Sequence, residues 1–189
     1  VRTEAAKLLA GAALSTEQLL ALAKLLPQCG PMELPTLVNA FARSKEASVG
    51  QSLVKGLRSA NGLNNVKLAD LSKVLRAYPE PGLSEANKLL AELEQQAQEQ
   101  AGRLAELEKT ITGGDASRGQ AVFYSAKAVC STCHRVQMRG GQVGPDLSQI
   151  GRIRTERDLL ESILYPSASL ARDFESYTVA TKDGESVSG

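Results

Sequence analysis

The chain has 189 residues, of which 42% are hydrophobic and 4% are aromatic, and its formal net charge is +1. This length permits one or two domains with a buried core, and the balanced charge gives no argument for binding nucleic acid or an anionic membrane surface. No run of residues is long and apolar enough to span a bilayer, so no transmembrane segment is predicted. Few aromatic residues together with many Ala and Leu indicate a mainly helical protein.

Residues 1–82 are predicted to form a helical domain. Apolar residues recur there at helical spacing in about five runs, which are separated by Pro, Gly or Asn. Ser15 has the position of an N-cap, and Pro27 ends the run that follows it. We expect antiparallel helix pairs, with the tail of a HEAT-like solenoid as an alternative, although no clean repeat is present. No catalytic group stands out, which favours a scaffolding role, and Cys29 is interpreted as a small buried hydrophobic residue rather than a reactive thiol.

Residues 83–113 are predicted to form a long amphipathic connecting helix and a linker. Apolar residues recur at helical spacing from Ala86 to Ile111, with Glu and Gln between them. Ser84 is the predicted N-cap, and Gly113-Gly114 marks the boundary to the last domain. A coiled coil is the alternative interpretation, but a single connecting helix is the simpler one.

Residues 114–189 contain the motif on which the functional interpretation depends. Asp115 is the predicted N-cap of a helix that leads to Cys130-Ser131-Thr132-Cys133-His134. This C-x-x-C-H pattern is the attachment signature of a c-type haem. The two thiols form thioether bonds with the haem vinyl groups, and the His is the proximal iron ligand. The sequence therefore predicts one covalent haem c, held by Cys130, Cys133 and His134.

Three other interpretations of the motif fit less well. A thioredoxin-like C-x-x-C is typical of a βαβ context, whereas the flanking segments here have a helical pattern. A zinc site needs a second pair of Cys or His ligands, but His134 is the only His and Cys29 is far away in the sequence. A buried structural cluster leaves the position of the His unexplained. Haem attachment is therefore the preferred interpretation.

The last part of the sequence resembles class I cytochrome c, and more closely the planctomycete/verrucomicrobial-type haem-binding domain. The first resemblance is carried by residues 114–123, the C-x-x-C-H motif and residues 144–147, which read Gly-Pro-Asp-Leu. The second is carried by residues 143–151, 157–168 and 181–189. That family is found at the C-terminus of large exported proteins with dehydrogenase-like domains upstream. The resemblance therefore implies a periplasmic or otherwise exported location.

The resemblance also implies roles for individual residues. Gly119 and Phe123 are expected to pack against the last helix of the cytochrome fold. The Pro145 carbonyl is expected to accept the N–H of the proximal His, which fixes the tautomer and makes the His a better donor. Leu147 is expected to contact the haem face.

A helix and a β-hairpin are predicted after the motif. Thr155 is predicted to cap a helix that Pro166 ends. Residues 177–181 are predicted to form a strand, Asp183-Gly184 a tight turn, and a returning strand begins at Glu185. The fold class is thus a cytochrome c-like haem domain with a small β-hairpin insertion. It is predicted to be truncated, because the resembled family continues to a Met-bearing loop and a closing helix.

The sequence leaves the sixth iron ligand open. A distal Met would raise the reduction potential, and we expect this Met to lie beyond Gly189. Met138 is a weaker candidate, because it follows His134 closely in a Gly-rich loop on the proximal side. Met32 is interpreted as core filler. Weaker candidates still are Tyr165, Tyr177 and Lys182.

Four arginines cluster near the motif in the sequence, namely Arg135, Arg139, Arg152 and Arg154. One of them, with Arg152 as the candidate, is expected to pair with a haem propionate. The alternatives are a solvated face and a docking patch for an acidic redox partner.

We therefore predict electron transfer through a haem c, with a redox partner protein or an upstream dehydrogenase domain supplying the electrons. One alternative is a ligand-binding or sensing haem with an open sixth site, and another is a helical interaction scaffold without haem. Peroxidase-type catalysis is disfavoured because the only His is the proximal ligand. The segment itself is not expected to be an enzyme, and its oligomeric state stays open.

Overall fold

The computed structural model describes residues 2–111, 113–166 and 178–188. It divides into two units, an N-terminal unit (Val1–Ala101) and a C-terminal unit (Gly102–Gly189). The mainly helical fold that the sequence predicts is confirmed. The division into three segments, the solenoid character of the first and the truncation of the last stay predictions. Of the helices that the structure describes, none combines the length and apolarity needed to cross a membrane.

The N-terminal unit is built from short helices and the first part of a long one. Its elements are α1 (Arg2–Gly11), α2 (Thr16–Leu25), α3 (Leu34–Val38), α4 (Ala47–Arg58), α5 (Leu68–Leu75) and the start of α6 (Gly82–Glu108), with 3₁₀ turns at Leu26–Gln28, Asn39–Arg43 and Leu63–Asn65. The predicted cap of α2 is confirmed, since the Ser15 hydroxyl accepts the Gln18 N–H at 3.3 Å and the Gln18 side chain accepts the Ser15 N–H at 2.9 Å. This capping box satisfies two backbone donors that have no partner within the helix.

A single hydrophobic core fills the N-terminal unit. Helix α2 packs against α4, and α1 packs against α3. The fully buried large side chains are Phe41, Leu26, Leu34, Leu53, Leu57, Leu71, Leu75, Leu90, Val38 and Val49. Gly56 allows the close approach of α4 to α2, because a Cβ atom there would collide with the Ala23 carbonyl oxygen. Cys29 is half-buried against this core, and burial raises the pKa of its thiol.

Helix α6 begins earlier than the sequence predicts. Ser84 lies inside the helix rather than at its N-cap, and its N–H donates to the Glu80 carboxylate at 3.1 Å. The prediction of a Ser84 cap is therefore wrong, because an acidic side chain from the preceding turn satisfies that amide instead. Ala86, Leu89 and Leu90 join the core, while residues 94–103 are exposed on all sides.

The C-terminal unit combines short helices with two small hairpins. After the end of α6 it contains α7 (Ala116–Phe123), α8 (Cys130–Cys133), β1 (Arg135–Val136), β2 (Arg139–Gly140), α9 (Ile150–Ile153), α10 (Glu156–Leu164), β3 (Thr178–Ala180) and β4 (Ser186–Ser188). Strand β1 pairs antiparallel with β2, and β3 pairs antiparallel with β4. The predicted hairpin near the C-terminus is thus confirmed, with Gly184 in the left-handed region at φ 86°. Tyr177, which was predicted to begin its first strand, lies outside the described residues.

Both predicted caps in this unit are confirmed. The Asp115 carboxylate accepts the Arg118 N–H at 2.7 Å and caps α7. Thr155 and Asp158 form a reciprocal capping box at the start of α10. An ion pair between Arg157 and Glu108 links α10 to the end of α6. Local hydrogen bonding of this kind, rather than a buried core, holds the described part of the unit, where only Leu104 has a buried side chain.

Candidate functional site

The two cysteines and the histidine of the motif lie at the junction of a helical turn and an extended segment. Cys130 and Cys133 begin and end α8, so their side chains lie about one turn apart on the same side of the helix. His134 follows with φ −101° and ψ 143°, and its N–H donates to the Cys130 carbonyl at 3.0 Å. Both thiols are free, with Cys130 half-buried and Cys133 exposed. The turn therefore presents two thiols and directs the chain into an extended conformation at the His.

The His134 ring is fixed by a carbonyl. Its Nδ1 atom lies 2.9 Å from the Pro145 oxygen, and the ring is half-buried. Because a carbonyl can only accept a hydrogen bond, the neutral ring must carry its proton on Nδ1. The lone pair is then on Nε2, which is the arrangement that a metal-binding imidazole needs.

Glycines allow the following loop to lie directly against the motif. A Cβ atom on Gly144 would lie 2.6 Å from Cε1 of His134, so any side chain there would displace the imidazole. A Cβ atom on Gly141 would collide with the Thr132 carbonyl, and one on Gly140 with the His134 carbonyl. Gly140 also has φ 121°, which residues with a Cβ rarely adopt. The loop therefore forms a close cradle for the motif.

Residues 144–148 run alongside residues 133–137 and are hydrogen-bonded to them. The Gly144 N–H donates to the Cys133 carbonyl at 2.8 Å, and the Leu147 N–H donates to the Arg135 carbonyl at 2.8 Å. The bond between His134 and Pro145 lies between these two. The position of the ring is thus set by backbone bonds on both sides of it.

Asp146 adds a side-chain connection between the same two segments. Its Oδ2 atom accepts from Nε and Nη2 of Arg135 at 3.1 and 2.7 Å, and its Oδ1 atom accepts the Ser148 N–H at 2.8 Å. The Ser148 hydroxyl also donates to Oδ1, and it accepts the Gln137 N–H. The hydroxyl and amide of Ser148, followed by the Arg135 guanidinium, lower the pKa of the Asp146 carboxyl to about 2.

A shallow cleft of about 440 Å³ lies beside α7. It is lined by Ala116, Ser117, Gly119, Gln120, Phe123, Tyr124 and Val136. The rings of Phe123 and Tyr124 meet edge to face at 5.0 Å, and the Arg139 guanidinium lies 4.1 Å from the Tyr124 ring centroid. Gly119 faces open space, with nothing within 4 Å of a Cβ built on it. The packing roles expected for Gly119 and Phe123 stay predictions.

The structure brings some of the other predicted residues close to the motif and leaves some apart. Leu147 is half-buried and bonded to the backbone of the extended segment. Met138 lies in the turn between β1 and β2 with a side chain that is 94% exposed. Arg152 is exposed on α9. Of the remaining sixth-ligand candidates, Tyr165 is half-buried after α10, Lys182 is exposed in the turn before β4, and Tyr177 lies outside the described residues. These ligand assignments stay predictions.

Sequence reasoning missed the elements that hold the His in place. The hairpin of β1 and β2 was not predicted, and neither was the role of Asp146 or Ser148. The adjacent pair Gly140-Gly141 was a usable signal, because two glycines shortly after a ligand indicate close backbone approach.

The residues present fit a covalent haem. Two free thiols one helical turn apart match the two vinyl groups of the porphyrin, and the free Nε2 lone pair matches the iron. Arginines that follow the motif offer counter-charges for propionates. No other group in the cradle competes with His134 for this role among the described residues.

Comparison with known families agrees with this chemistry. The family described as Cytochrome c matches residues 116–183, which is just over a third of the chain. No curated protein and no solved structure matches the chain. The family is one of haem-binding, electron-transferring domains that are typically exported and act with a redox partner. Residues 116–183 are therefore similar to a cytochrome c domain, which supports haem binding by this part of the chain.

Proposed function

We propose that the chain binds one haem c through Cys130 and Cys133, with His134 as the proximal iron ligand, and that it transfers electrons. The observation that carries this proposal is the bond between Nδ1 of His134 and the Pro145 carbonyl at 2.9 Å. It leaves Nε2 as the donor atom, directly after two free thiols on one helical turn. A haem bound there supplies a one-electron change at its iron.

The residues of the chain have separate tasks in this proposal. The thioether bonds of Cys130 and Cys133 retain the haem. The Pro145 carbonyl makes the His134 imidazole a stronger donor, which favours the ferric state. Leu147 covers part of the haem face, and Arg152 is the proposed partner of a propionate.

We further propose that the domain acts within an exported protein, as in the planctomycete/verrucomicrobial-type family. The electron donor would be an upstream dehydrogenase-like domain or a separate redox protein. Residues 1–82 would then serve as a helical docking scaffold. The support for this context is the resemblance of residues 143–151 and 157–168 to that family.

The sixth iron ligand distinguishes the two candidate functions. The chain contains two Met residues, Met32 and Met138, and the exposure of Met138 in the turn beside the proximal ligand argues against a role on the distal side. We prefer a Met outside these 189 residues, which suits electron transfer. The alternative is an open sixth site that binds an exogenous ligand, and the exposure of Met138 does not decide between the two.

The test is the mass and absorption spectrum of the chain produced in a host that matures c-type cytochromes. We expect the mass of one covalent haem, a Soret band, and loss of both in a Cys130→Ser, Cys133→Ser variant. Cys29→Ser is the matched control, because it removes the third thiol and should leave the haem in place. An apo mass with free thiols in the wild-type chain contradicts the proposal.

Carbon monoxide separates the two functions in the same sample. A reduced spectrum that carbon monoxide leaves unchanged indicates a filled sixth site and supports electron transfer. A shifted Soret band indicates an open site and supports the ligand-binding alternative.

A further inference from the structure

We propose that Asp146 is the positioning residue that holds the Pro145 carbonyl against Nδ1 of His134 and so sets the donor strength of the proximal ligand. The inference rests on the proposed function, because it concerns how His134 binds iron. It assigns a role to a side chain that contacts neither thiol of the motif.

The connection begins with the peptide bond between Pro145 and Asp146. The carbonyl of Pro145 and the amide nitrogen of Asp146 belong to one rigid planar group. Whatever holds Asp146 in place therefore also holds the plane in which the Pro145 oxygen lies. A side chain at Asp146 can control the acceptor of the His bond without touching the imidazole.

Arg135 provides a second cross-link beside the bond between His134 and Pro145. It is the neighbour of His134 in the chain, as Asp146 is the neighbour of Pro145. One cross-link is the imidazole–carbonyl bond at 2.9 Å, and the other is the guanidinium–carboxylate pair, in which Oδ2 accepts two hydrogen bonds. Two adjacent cross-links prevent the segments from sliding or twisting past each other. The planar guanidinium with two bonds gives this pair a fixed geometry.

The second carboxylate oxygen is anchored independently. Oδ1 accepts the Ser148 N–H at 2.8 Å, and the Ser148 hydroxyl in turn accepts the Gln137 N–H from the opposite segment. Both carboxylate oxygens of Asp146 are thus bound. Oδ2 is bound directly to Arg135, and Oδ1 is linked through Ser148 to Gln137, so both connections lead to residues shortly after His134. The low pKa of Asp146, about 2, agrees with a carboxylate that stays ionised in this network at every ordinary pH.

The consequence for the iron concerns its reduction potential. A well-placed carbonyl on Nδ1–H makes the imidazole more basic, and a more basic ligand stabilises the ferric ion. Loss of the Asp146 side chain loosens the carbonyl and weakens this effect. The potential should therefore rise, and the Nδ1–H proton should exchange faster with solvent.

The experiment compares haem-loaded wild-type chain with Asp146→Ala and Asp146→Asn. For Asp146→Ala we expect the equilibrium constant for one-electron reduction to rise severalfold to tenfold, where tenfold equals about 59 mV. Asp146→Asn keeps an oxygen for the Ser148 amide but loses the charge opposite Arg135, so a smaller rise is expected. Because the chain has a single His, ¹⁵N-His labelling reports the Nδ1–H exchange rate of His134 alone in the reduced, carbon monoxide-treated protein.

Asp158→Ala is the matched control. Asp158 is a carboxylate of the same unit that accepts the Thr155 N–H, but this bond serves the capping box of α10, in which the Asp158 N–H donates in return to the Thr155 hydroxyl. This variant should lower thermal stability and leave the potential and the exchange rate unchanged. If Asp146→Ala behaves in the same way, Asp146 is merely structural and the inference is overturned.

The Asn variant keeps the test decisive if the Ala variant does not retain haem. A wild-type potential and exchange rate in haem-loaded Asp146→Asn then overturn the inference. Absence of covalent haem in the wild-type chain is a different result, since it contradicts the proposed function before any variant is compared.

Discussion

The two units bury their apolar side chains to very different degrees. In the N-terminal unit, Leu26, Leu53 and Leu57 are completely buried within one continuous core. In the described part of the C-terminal unit, Val122 is 59% exposed and Ile163 is 77% exposed. Full burial of one Leu or Ile side chain contributes about 1.5–3 kcal/mol, so this core is a large source of stability for the first unit. The second unit lacks such a source of stability among its described residues.

The described part of the C-terminal unit has no continuous core of its own side chains, and many of its hydrogen bonds lie close to the motif. Its described contacts include capping bonds, hairpin bonds, ring contacts of Tyr124 and the hydrogen bonds between the motif and residues 144–148. Each ordinary hydrogen bond contributes only about 0.5–1.5 kcal/mol net, and solvent reduces the value of exposed ones. If the proposed function is right, a porphyrin supplies the apolar surface that this unit does not provide for itself.

The largest expected effect comes from removing the haem attachment. In a Cys130→Ser, Cys133→Ser variant we expect residues 116–166 to lose protection against hydrogen–deuterium exchange, because no apolar centre remains to order them. Helices α2 and α4 should keep their protection, because their core is complete. Exchange measured by mass spectrometry on the whole chain reports both units at once.

Cys29→Ser controls for the loss of a thiol, and both units should stay protected in it. If residues 116–166 remain protected from exchange without haem, the view that only the C-terminal unit depends on haem for its order is wrong. The exposed valines and isoleucines would then be ordinary surface residues.

The second prediction concerns the core of the N-terminal unit. Leu57→Ala removes a fully buried side chain from α4, and we expect the free energy of unfolding of that unit to fall by about 2–5 kcal/mol. The Soret band should not change, because the proposed haem-binding residues Cys130, Cys133 and His134 lie in the other unit. Urea unfolding followed by circular dichroism measures the first effect, and absorption in the same samples measures the second.

Leu8→Ala is the matched control, because Leu8 is 76% exposed on α1. It should change the free energy of unfolding by no more than about 0.5 kcal/mol. Equal effects of the two substitutions would contradict the view that burial in one core stabilises this unit.

The sequence was most informative where burial or capping decides the structure. Helical spacing of apolar residues identified the helices of the N-terminal unit, and Ser15 and Thr155 were recognised as caps from local pattern alone. Ser84 was misassigned because a competing acceptor, Glu80, lies before the helix. The choice between the two depends on how the preceding turn folds, which local propensity does not reveal.

The candidate site was only partly predictable for a related reason. The motif gave the thiols and the imidazole, and the resemblance gave Pro145 as the partner of the His, which agrees with the observed bond. The strands of the β1–β2 hairpin have two residues each, which is too short to show an alternating pattern of apolar and polar residues. The turn between them places Gln137 at a positive φ of 54°, a conformation that sequence analysis expects for Gly or Asn rather than Gln. The contact of Asp146 with Arg135 joins residues that no helical or strand period relates, so only the folded loop reveals it.

The smallest predicted effect is a pH dependence confined to the N-terminal unit. The Tyr78 hydroxyl donates to the Phe41 carbonyl at 2.6 Å, and burial raises the pKa of Tyr78 to about 12. In the unfolded chain a Tyr titrates near pH 10, so folding favours the protonated phenol. This stabilisation is fully present below about pH 10 and is lost as the pH rises towards about 12. Urea unfolding of the unit between pH 8 and pH 12 should therefore show a steep loss of stability on the alkaline side.

Tyr78→Phe separates this titration from that of the exposed lysines. It removes one of the two hydrogen bonds that the Phe41 carbonyl accepts, since the Ser44 N–H still donates to it at 3.3 Å, so it should cost about 0.5–1.5 kcal/mol at pH 8. It should also remove the additional loss above pH 10. Tyr124→Phe, a change in the C-terminal unit, should leave the alkaline behaviour of the N-terminal unit as in the wild type. If Tyr78→Phe and the wild type lose stability in parallel above pH 10, the buried phenol is not the group that titrates. In that case the burial of the Tyr78 phenol would not make the stability of the N-terminal unit depend on pH. The two units would then not differ in this respect, although the Arg135–Asp146 pair of the C-terminal unit is partly open to solvent.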